Sequence, residues 1–394
     1  MRKLMLLLAV CIAGTVTAQQ PKSKAYFPTA QTWEKKIAGV DTAKLNEAIR
    51  FAIKSEINRP RSIKETQVLD FGKEPFSEPV GALGERGDPT GLIIYHGYIV
   101  KEWGEPSRVD ITNSVSKSFL STLVGLAVDQ HLIRSVNDTV ANYVDAIECY
   151  DPSVAVPQLI YPFATPHNKR LTWDVMLRQT SDWEGTLWGK PEWADRPDKD
   201  STKWRNRPRN EPGAVFEYND VRVNALALAA TYVWRKPLPQ VLKTYIMDPI
   251  GASNSWQWHG YSNSWIVLDG SPVQSVSGGG HWGGGMFINA YDMGRFGLLT
   301  LHKGNWNGKQ LIPESWIKRS RTPTTALPTY GYMNFYLNTD KKFLSNAPAS
   351  AFIHVGNGTN IIYVDEEHDL VVVARWIESK AINEFIREVL VALK

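Results

Sequence analysis

The C-terminal part of the chain carries the pattern that most constrains the fold. NIIYVDEEHDLVVVARW, residues 360–376, contains two runs of β-branched and apolar residues around a polar turn at 365–369, which predicts a β-hairpin. KAINEFIREVLVAL, residues 380–393, has the apolar spacing of an amphipathic helix. A second hairpin is predicted at 91–103, with its turn at His96-Gly97. Strands near both ends with helices between them indicate an α/β (α+β) fold, in which helices cover both faces of an antiparallel sheet.

The middle of the chain differs in composition. Pro, Trp, Asn and Arg are frequent there, above all in GKPEWADRPDKDSTKWRNRPRNEPG. Helical patterns occur at 172–178 and 220–233. We interpret residues 137–275 as a mostly helical and loop insertion between 19–136 and 276–394, which together would form the α/β sheet domain.

The first residues have the features of a secretory signal peptide. MRKLMLLLAVCIAGTVTA, residues 1–18, combines a basic start, a short apolar run and small residues, which predicts cleavage near Ala18 and Gln19. The apolar run is too short to span a bilayer core of about 30 Å. Cys11 raises a lipoprotein alternative, but it lies inside the apolar run and follows Val10 rather than a small residue. We therefore expect a periplasmic or secreted protein.

Charge and cysteine content argue against several classes of protein. Loss of Arg2 and Lys3 with the signal peptide lowers the basic residues from 44 to 42, against 40 acidic ones, so the net charge falls from +4 to +2. The sequence has no strong basic patch of the kind that would indicate a nucleic-acid partner. Cys149 is then the only cysteine, so we expect no intramolecular disulfide. No later stretch is apolar enough to predict a transmembrane segment.

Motifs for metals and phosphates are missing from the sequence. The eight histidines are scattered, with no His-x-x-x-His or His-Glu-x-x-His spacing. There is also no Gly-x-x-x-x-Gly-Lys loop and no Gly-x-Ser-x-Gly elbow. We therefore expect neither a metal ion nor another cofactor.

A serine and a lysine stand where a polar segment becomes apolar. In DITNSVSKSFLSTLVGLAVDQHLI, residues 110–133, Ser114 precedes Lys117 by three positions, and apolar residues follow at helical spacing. On a helix the two side chains share one face, with β-carbons about 5–6 Å apart. A buried lysine of lowered pKa can take the serine proton and make the hydroxyl a nucleophile. The alternative is a helix cap with a solvated lysine, which is how we interpret the second copy of the pattern, Ser315 to Lys318.

Six segments together resemble one known family. They are TNSVSKSFLSTLVGLAVDQHLI, SVNDTVANYV, LTWDVMLRQTSDW, PGAVFEYNDVRVNALALAATYV, GGGMFINAYDMGRFGLL and HVGNGTNIIYVDEEHDLVVVARW. They resemble class C serine β-lactamases and their relatives, which include penicillin-binding carboxypeptidases, β-lactamase-type esterases and, closest in style, 6-aminohexanoate-dimer hydrolases. The resemblance covers most of the chain. It implies a β-lactamase/transpeptidase-like fold and a serine hydrolase with Ser114 as nucleophile and Lys117 as its activator.

The family's second motif is Tyr-x-Asn, whose tyrosine shares a proton network with the lysine. The resemblance assigns this role to Tyr218, and it puts Asp220 at the third, substrate-binding position in place of Asn. An ionised aspartate cannot donate a hydrogen bond to a substrate carbonyl, so lactam or peptide recognition is in doubt. Tyr261 and Tyr332 also match the motif. The structural alternative for Tyr218 is a half-buried core tyrosine.

The family's third motif, Lys-Thr-Gly, is absent from the sequence. The resemblance places His354-Val355-Gly356 there, which makes His354 and Gly356 substrate-binding candidates. It also assigns the two oxyanion donors to the backbone N–H groups of Ser114 and Asn357. Loss of the lysine removes a fixed cation, which argues against penicillins and against peptides with a free carboxylate. The alternative for His354 is a strand-end histidine bonded to a neighbour.

Tryptophan is frequent, with fifteen residues in the chain. We take Trp183 and Trp188 as pocket candidates, although aromatic residues more often fill cores.

The chain is thus expected to be an exported serine hydrolase that cleaves an amide or ester in a small molecule or short peptide through an acyl-enzyme on Ser114. Two alternatives stay open. One is a D,D-peptidase or penicillin-binding protein that acts on cell-wall peptides, and the other is a non-catalytic ligand-binding relative.

Overall fold

The computed structural model describes residues 25–154, 156–205 and 207–394, so the predicted signal peptide lies outside the described residues. The α-helices of the described ranges are α1 (Thr42–Lys54), α2 (Ile63–Phe71), α3 (Ser116–Asp129), α4 (Trp173–Leu177), α5 (Asp220–Trp234), α6 (Leu238–Leu242), α7 (Ala290–Leu301), α8 (Glu314–Ser320) and α9 (Ile382–Val391). None of these helices is long and apolar enough to cross a membrane.

The β-strands are β1 (Thr90–Tyr95), β2 (Tyr98–Trp103), β3 (Asp110–Ile111), β4 (Ile147–Cys149), β5 (Gln158–Ile160), β6 (Thr186–Leu187), β7 (Lys190–Pro191), β8 (Gln257–Leu268), β9 (Ser271–Val276), β10 (Gly285–Ile288), β11 (Asn305–Trp306), β12 (Lys309–Gln310), β13 (Tyr336–Leu337), β14 (Phe352–Gly356), β15 (Asn360–Asp365) and β16 (Leu370–Arg375). Most of them belong to two sheets.

The two predicted hairpins form the centre of the larger sheet. β1 and β2 make the first hairpin, and β15 and β16 make the second. β1 pairs with β16, from Thr90 opposite Arg375 to Tyr95 opposite Leu370. The strand order is β13-β14-β15-β16-β1-β2, and all neighbours are antiparallel. The predicted antiparallel sheet is confirmed.

Helices cover both faces of this sheet. Successive strand residues point to opposite faces, so Ile93 and Val372 pack with residues of α1 and α9, whereas Leu92 and Val373 pack with residues of α3 and α7. Both faces are therefore buried. That explains why β1 and β16 are almost continuously apolar instead of alternating.

A second sheet connects the middle of the chain to the rest. Its strand order is β3-β10-β8-β4-β5, with β9 also paired to β8. The segment 137–275 contains helices α4, α5 and α6 and also strands β4, β5 and β8, which the sequence analysis missed. The sequence pattern did not predict β8, because this strand mixes polar and aromatic residues and changes register with β9 between Gly260 and Trp265.

Helix α3 lies in the interior. Every residue from Ser116 to Ala127 is buried, and the helix packs against α5. A helix surrounded by protein must be apolar on most of its surface, which fits the sequence pattern. The helix begins at Ser116, because Ser114 lies in a preceding 3₁₀ turn, Asn113–Val115.

Candidate active site

Ser114 is held between β3 and α3 by hydrogen bonds around its turn. Asn113 has a left-handed conformation with φ of 48°, which asparagine tolerates better than most residues. The Asn113 side-chain amide donates to the carbonyl of Asn357 at 3.0 Å. The Ser116 hydroxyl donates to the Asn113 carbonyl at 2.6 Å and accepts from the Met286 N–H at 2.8 Å. The turn is thus fixed to the chain after β14 and to β10.

Lys117 lies beside Ser114 and is completely buried. Its Nζ is 2.9 Å from Oγ of Ser114 and 2.5 Å from Oδ1 of Asp220 at the start of α5. Burial lowers the pKa of Lys117 in spite of the opposing charge of Asp220. Burial also disfavours ionisation of Asp220, but the charges of Lys117, Arg196 and His281 outweigh it and hold the pKa of Asp220 below its usual range. A buried ion pair therefore touches Ser114.

A glycine closes the space around this ion pair. A Cβ on Gly279 would lie 1.7 Å from Oδ1 of Asp220 and 2.2 Å from Nζ of Lys117. No other residue fits there without moving the charged groups. The glycine-rich segment at 278–285 therefore packs its backbone directly against the pair.

Tyr218 lines the same cleft as Ser114. Nζ of Lys117 is 4.6 Å from the centre of its ring. Burial and the negative charge of Asp220 raise the pKa of Tyr218 well above its usual range, while Arg196 and Ser114 act in the opposite direction. Tyr218 is therefore a neutral phenol whose hydroxyl lies within hydrogen-bonding reach of the serine.

Further charged side chains surround Asp220. Nη1 of Arg196 donates to Oδ2 of Asp220 at 3.0 Å and also donates to Asp195. Nε2 of His281 is 2.7 Å from Oε2 of Glu74, and its Nδ1 is 3.9 Å from Oδ2 of Asp220. The sequence analysis missed this network, because its members come from separate segments and match no motif.

Three members of the network could in principle hold a cation. Glu74, Asp195 and His281 each place one potential ligand atom within 4.8 Å of the others. The set fits a metal ion poorly, because the guanidinium of Arg196 already donates to Asp195. We assign no metal to it, and the expectation that the protein needs no cofactor stays a prediction.

The cleft beside Ser114 has a volume of about 830 Å³. Its walls are largely apolar and include Ile63, Phe71, Leu337, Phe343, Val355 and Trp376. Two arginines that line it are already paired, Arg59 with Asp70 and Arg86 with Glu56, both at 2.8 Å. The cleft therefore suits apolar groups on either side of a reacting carbonyl.

The end of β14 forms the cleft wall next to Ser114. A Cβ on Gly356 would lie 2.0 Å from the Thr112 carbonyl oxygen and 3.2 Å from the backbone nitrogen of Ser114. Gly356 and Asn357 both line the cleft. The predicted residues Ser114, Lys117, Tyr218, Gly356 and Asn357 are thus brought together.

Comparison with known proteins identifies the family of the chain. A sequence model described as Beta-lactamase matches residues 97–376. The chain belongs to the β-lactamase family. The resemblance found in the sequence is therefore confirmed. No curated protein matches the chain.

Three solved structures have a fold similar to that of this β-lactamase-family chain. A family VIII carboxylesterase is 16% identical, with coverage of 91% of this chain and 100% of that one and a TM-score of 0.56. A penicillin-binding protein homologue from Caulobacter crescentus is 14% identical, with coverage of 91% and 100% and a TM-score of 0.55. A Bacillus anthracis protein, provisionally assigned as a 6-aminohexanoate-dimer hydrolase, is 15% identical, with coverage of 93% and 87% and a TM-score of 0.52. At these identities the likeness shows the β-lactamase/transpeptidase-like fold.

The β-lactamase-family fold places His354 away from the cleft. Its side chain is fully buried, and Nδ1 is 2.9 Å from Oγ of Ser118. Rings of Phe296, Phe335 and Phe352 surround it. Because side chains alternate along β14, His354 points away from Ile353 and Val355, which line the cleft. The structure does not support substrate contact by His354, and burial lowers its pKa to about 3.

Three other predicted substrate contacts also need correction. Trp183 is a core residue whose Nε1 donates to the Pro162 carbonyl at 2.7 Å. Trp188 lines a different surface pocket, together with Cys149 and Trp265. Asp220 lies beneath the cleft and pairs with Lys117 instead of facing a substrate.

The competing motif matches lie elsewhere in the fold. Tyr261 is buried on β8, where its hydroxyl accepts from Nδ2 of Asn224 at 3.0 Å. Tyr332 donates to Asp174. Ser315 and Lys318 belong to α8, which begins after Pro313 as an ordinary helix. None of these four candidates lines the cleft.

Proposed function

We propose that this chain is an exported serine hydrolase that cleaves an ester or amide bond through an acyl-enzyme on Ser114. One observation carries the proposal. The fully buried ammonium of Lys117 lies 2.9 Å from the Ser114 hydroxyl, at the wall of a cleft that Tyr218 also lines. In the alternative, a helix cap followed by a solvated lysine, the ammonium would be in water. Lysine is rarely buried without a function or a partner.

The residues divide the reaction between them. Oγ of Ser114 attacks the substrate carbonyl carbon while its proton moves toward Lys117. The backbone N–H groups of Ser114 and Asn357 are the proposed donors to the oxyanion, and one such donor is typically worth about 10²–10³ in rate. Tyr218, as a neutral phenol, relays that proton: it donates its own to the leaving alcohol or amine and takes one back from Lys117. Water then releases the acyl group along the same proton route.

The cleft favours a small molecule or short peptide with apolar groups. Its walls are largely apolar, and Arg59 and Arg86 are occupied by Asp70 and Glu56. Where the family has the lysine of Lys-Thr-Gly, this chain has His354, which is buried. Lys342 also lines the cleft, and its Nζ is 3.7 Å from Oδ2 of Asp340. A substrate carboxylate would therefore have to compete with protein carboxylates for each of these cations, and burying it unpaired is unfavourable.

Labelling with a fluorophosphonate probe tests the nucleophile. We expect covalent labelling of the wild-type protein and none of Ser114→Ala. Ser315→Ala is the matched control, because it removes the serine of the second Ser-x-x-Lys pattern, which lies outside the cleft. It should label as the wild type does. Labelling that persists in Ser114→Ala would refute the proposed function.

Intact-mass analysis during turnover separates the alternatives. A p-nitrophenyl ester should add its acyl mass to Ser114. Turnover of D-Ala-D-Ala peptides without turnover of such esters would identify a D,D-peptidase. Neither added mass nor product with either substrate would identify a relative without turnover.

Export is proposed from the sequence of residues 1–18. Expressed with its full sequence in a Gram-negative host, the protein should be recovered from the periplasm with Gln19 as its first residue. Recovery of the uncleaved chain from the cytoplasm would contradict export while leaving the hydrolase proposal intact.

A further inference from the structure

The ion pair between Lys117 and Asp220 leaves Ser114 without a free base. An ammonium has three donors and no acceptor, so the charged form of Lys117 cannot take the serine proton. If Lys117 faced a neutral amide, burial alone would favour its neutral amine. Here the carboxylate of Asp220 lies 2.5 Å from Nζ and keeps the proton on the lysine. The proton of Ser114 therefore needs another destination.

We propose that Asp220 is the final acceptor of the Ser114 proton, which it receives through Lys117. This inference rests on the proposed function above. As Oγ of Ser114 bonds to the carbonyl carbon, Lys117 gives one of its protons to Oδ1 of Asp220, 2.5 Å from Nζ, and can then take the serine proton from Oγ, 2.9 Å from Nζ. Lys117 remains an ammonium, and Asp220 becomes a carboxylic acid. The proton returns through Lys117 as the bond to the leaving group breaks.

The exchange leaves the total charge around Asp220 unchanged. The titratable groups that face it are Lys117, Arg196, Asp195, Tyr218 and His281, the last bonded to Glu74. When Asp220 takes the proton, a negative charge disappears there and another forms on the substrate oxyanion. The total charge of the site does not change, and Lys117 stays charged between the two positions. Asp220 acts only through Lys117, so it is a positioning residue.

The variant Asp220→Asn separates this inference from a role as a permanent counter-ion. In our proposal, kcat/KM of the wild type falls at low pH when the Asp220 carboxylate gains a proton. The variant must instead use neutral Lys117, which exists only at higher pH. The acidic limb of its pH profile should therefore move up by about one pH unit or more.

The acidic limb of Asp220→Asn should shift in the opposite direction if Lys117 alone is the base. Asp220 would then only raise the pKa of Lys117, and removing the carboxylate would move the acidic limb down. A downward shift or an unchanged limb overturns the inference. The assay uses p-nitrophenyl esters, whose leaving group needs no proton, so the limb reports the removal of the Ser114 proton.

Two controls keep the outcome interpretable. Asp292→Asn changes another buried carboxylate in the first turn of a helix, one bonded to Ser253 and outside the cleft. The acidic limb of the pH profile of Asp292→Asn should lie at the same pH as that of the wild type. Fluorophosphonate labelling of the wild type is measured in parallel. If labelling is absent, the proposed function fails, whereas normal labelling with the wrong shift refutes only the role of Asp220.

A measurement on the wild type covers the case in which Asp220→Asn does not fold. Rates of p-nitrophenyl ester cleavage are followed across mixtures of H₂O and D₂O. Two protons move together in the proposed step, so the rate should depend on the deuterium fraction along a curve. A straight line would mean a single moving proton and would overturn the inference.

Discussion

Arg196 and Lys117 hold opposite oxygens of the same carboxylate. Nη1 of Arg196 donates to Oδ2 of Asp220 at 3.0 Å, and Nζ of Lys117 contacts Oδ1. Arg196 also donates to Asp195, so one guanidinium keeps two buried carboxylates together. A residue of the middle segment thereby completes the charge balance beneath Ser114.

Removing that guanidinium should destabilise the fold. Arg196→Met leaves Asp195 and Asp220 with less positive charge, and we expect a loss of about 1–3 kcal/mol in the free energy of unfolding, less than for a fully buried pair because the arginine is partly exposed. Urea unfolding measures the change. Arg134→Met, which breaks an exposed pair with Asp138, should leave the midpoint nearly unchanged. Equal midpoints for Arg196→Met and the wild type would contradict the prediction.

Gly279 should not accept a side chain. Its Cβ in Gly279→Ala would overlap Asp220 and Lys117, so we expect a loss of about 1–3 kcal/mol in stability. We also expect the folded variant to be less active than the wild type, because the new side chain pushes Lys117 away from Ser114. Thermal unfolding and p-nitrophenyl ester kinetics measure the two effects. Gly270→Asn is the control, since the glycine has open space around it and asparagine tolerates its φ of 78°. Wild-type kinetics in Gly279→Ala would contradict the geometry.

His354 should make the protein less stable in mild acid. Burial lowers its folded pKa to about 3, below the usual value of about 6.5. The unfolded chain therefore binds a proton that the folded chain excludes, and stability falls as pH drops from about 6.5 toward 3, by at most about 1.4 kcal/mol per pH unit. Above that window the histidine is neutral in both states.

The variant His354→Asn tests this sign. Urea unfolding across the window should show a shallower pH dependence than in the wild type. KM for p-nitrophenyl esters should change little, because His354 does not line the cleft. An unchanged pH slope, or a large rise in KM in a folded variant, would go against the placement of this residue.

Substrate charge should affect turnover strongly. Between two p-nitrophenyl esters of similar length, one with an apolar acyl chain and one ending in a carboxylate, we expect the apolar ester to have a kcat/KM higher by about tenfold or more. The carboxylate would enter a largely apolar cleft whose arginines are already paired. Equal values for the two esters would show that a cation in the cleft is free to bind the anion.

Patterns that are local in sequence were predicted correctly. The hairpins at 91–103 and 360–376 and the helix at the C-terminus appear as expected, because apolar periodicity and turn residues determine them. The contact of Ser114 with Lys117 follows from a spacing of three residues on consecutive helical turns. Family resemblance then located Tyr218 and Gly356.

Contacts between distant segments could not be predicted in the same way. Arg196 and His281 approach Asp220 from unrelated parts of the chain, and Glu74 contacts His281. No periodicity in the sequence predicts such contacts. His354 illustrates a different limit. Its position along β14 was predicted, but a strand alternates its side chains, so one residue decides whether a side chain enters the cleft or the core.

The pairing of β1 with β16 also determines when the large sheet can close during translation. Thr90 lies opposite Arg375, so the pair cannot form until nearly the whole polypeptide has left the ribosome. Contacts between residues so far apart along the chain slow folding. A nascent polypeptide of this topology stays unfolded longer, which is the condition a protein needs if it is to be threaded through a translocation channel.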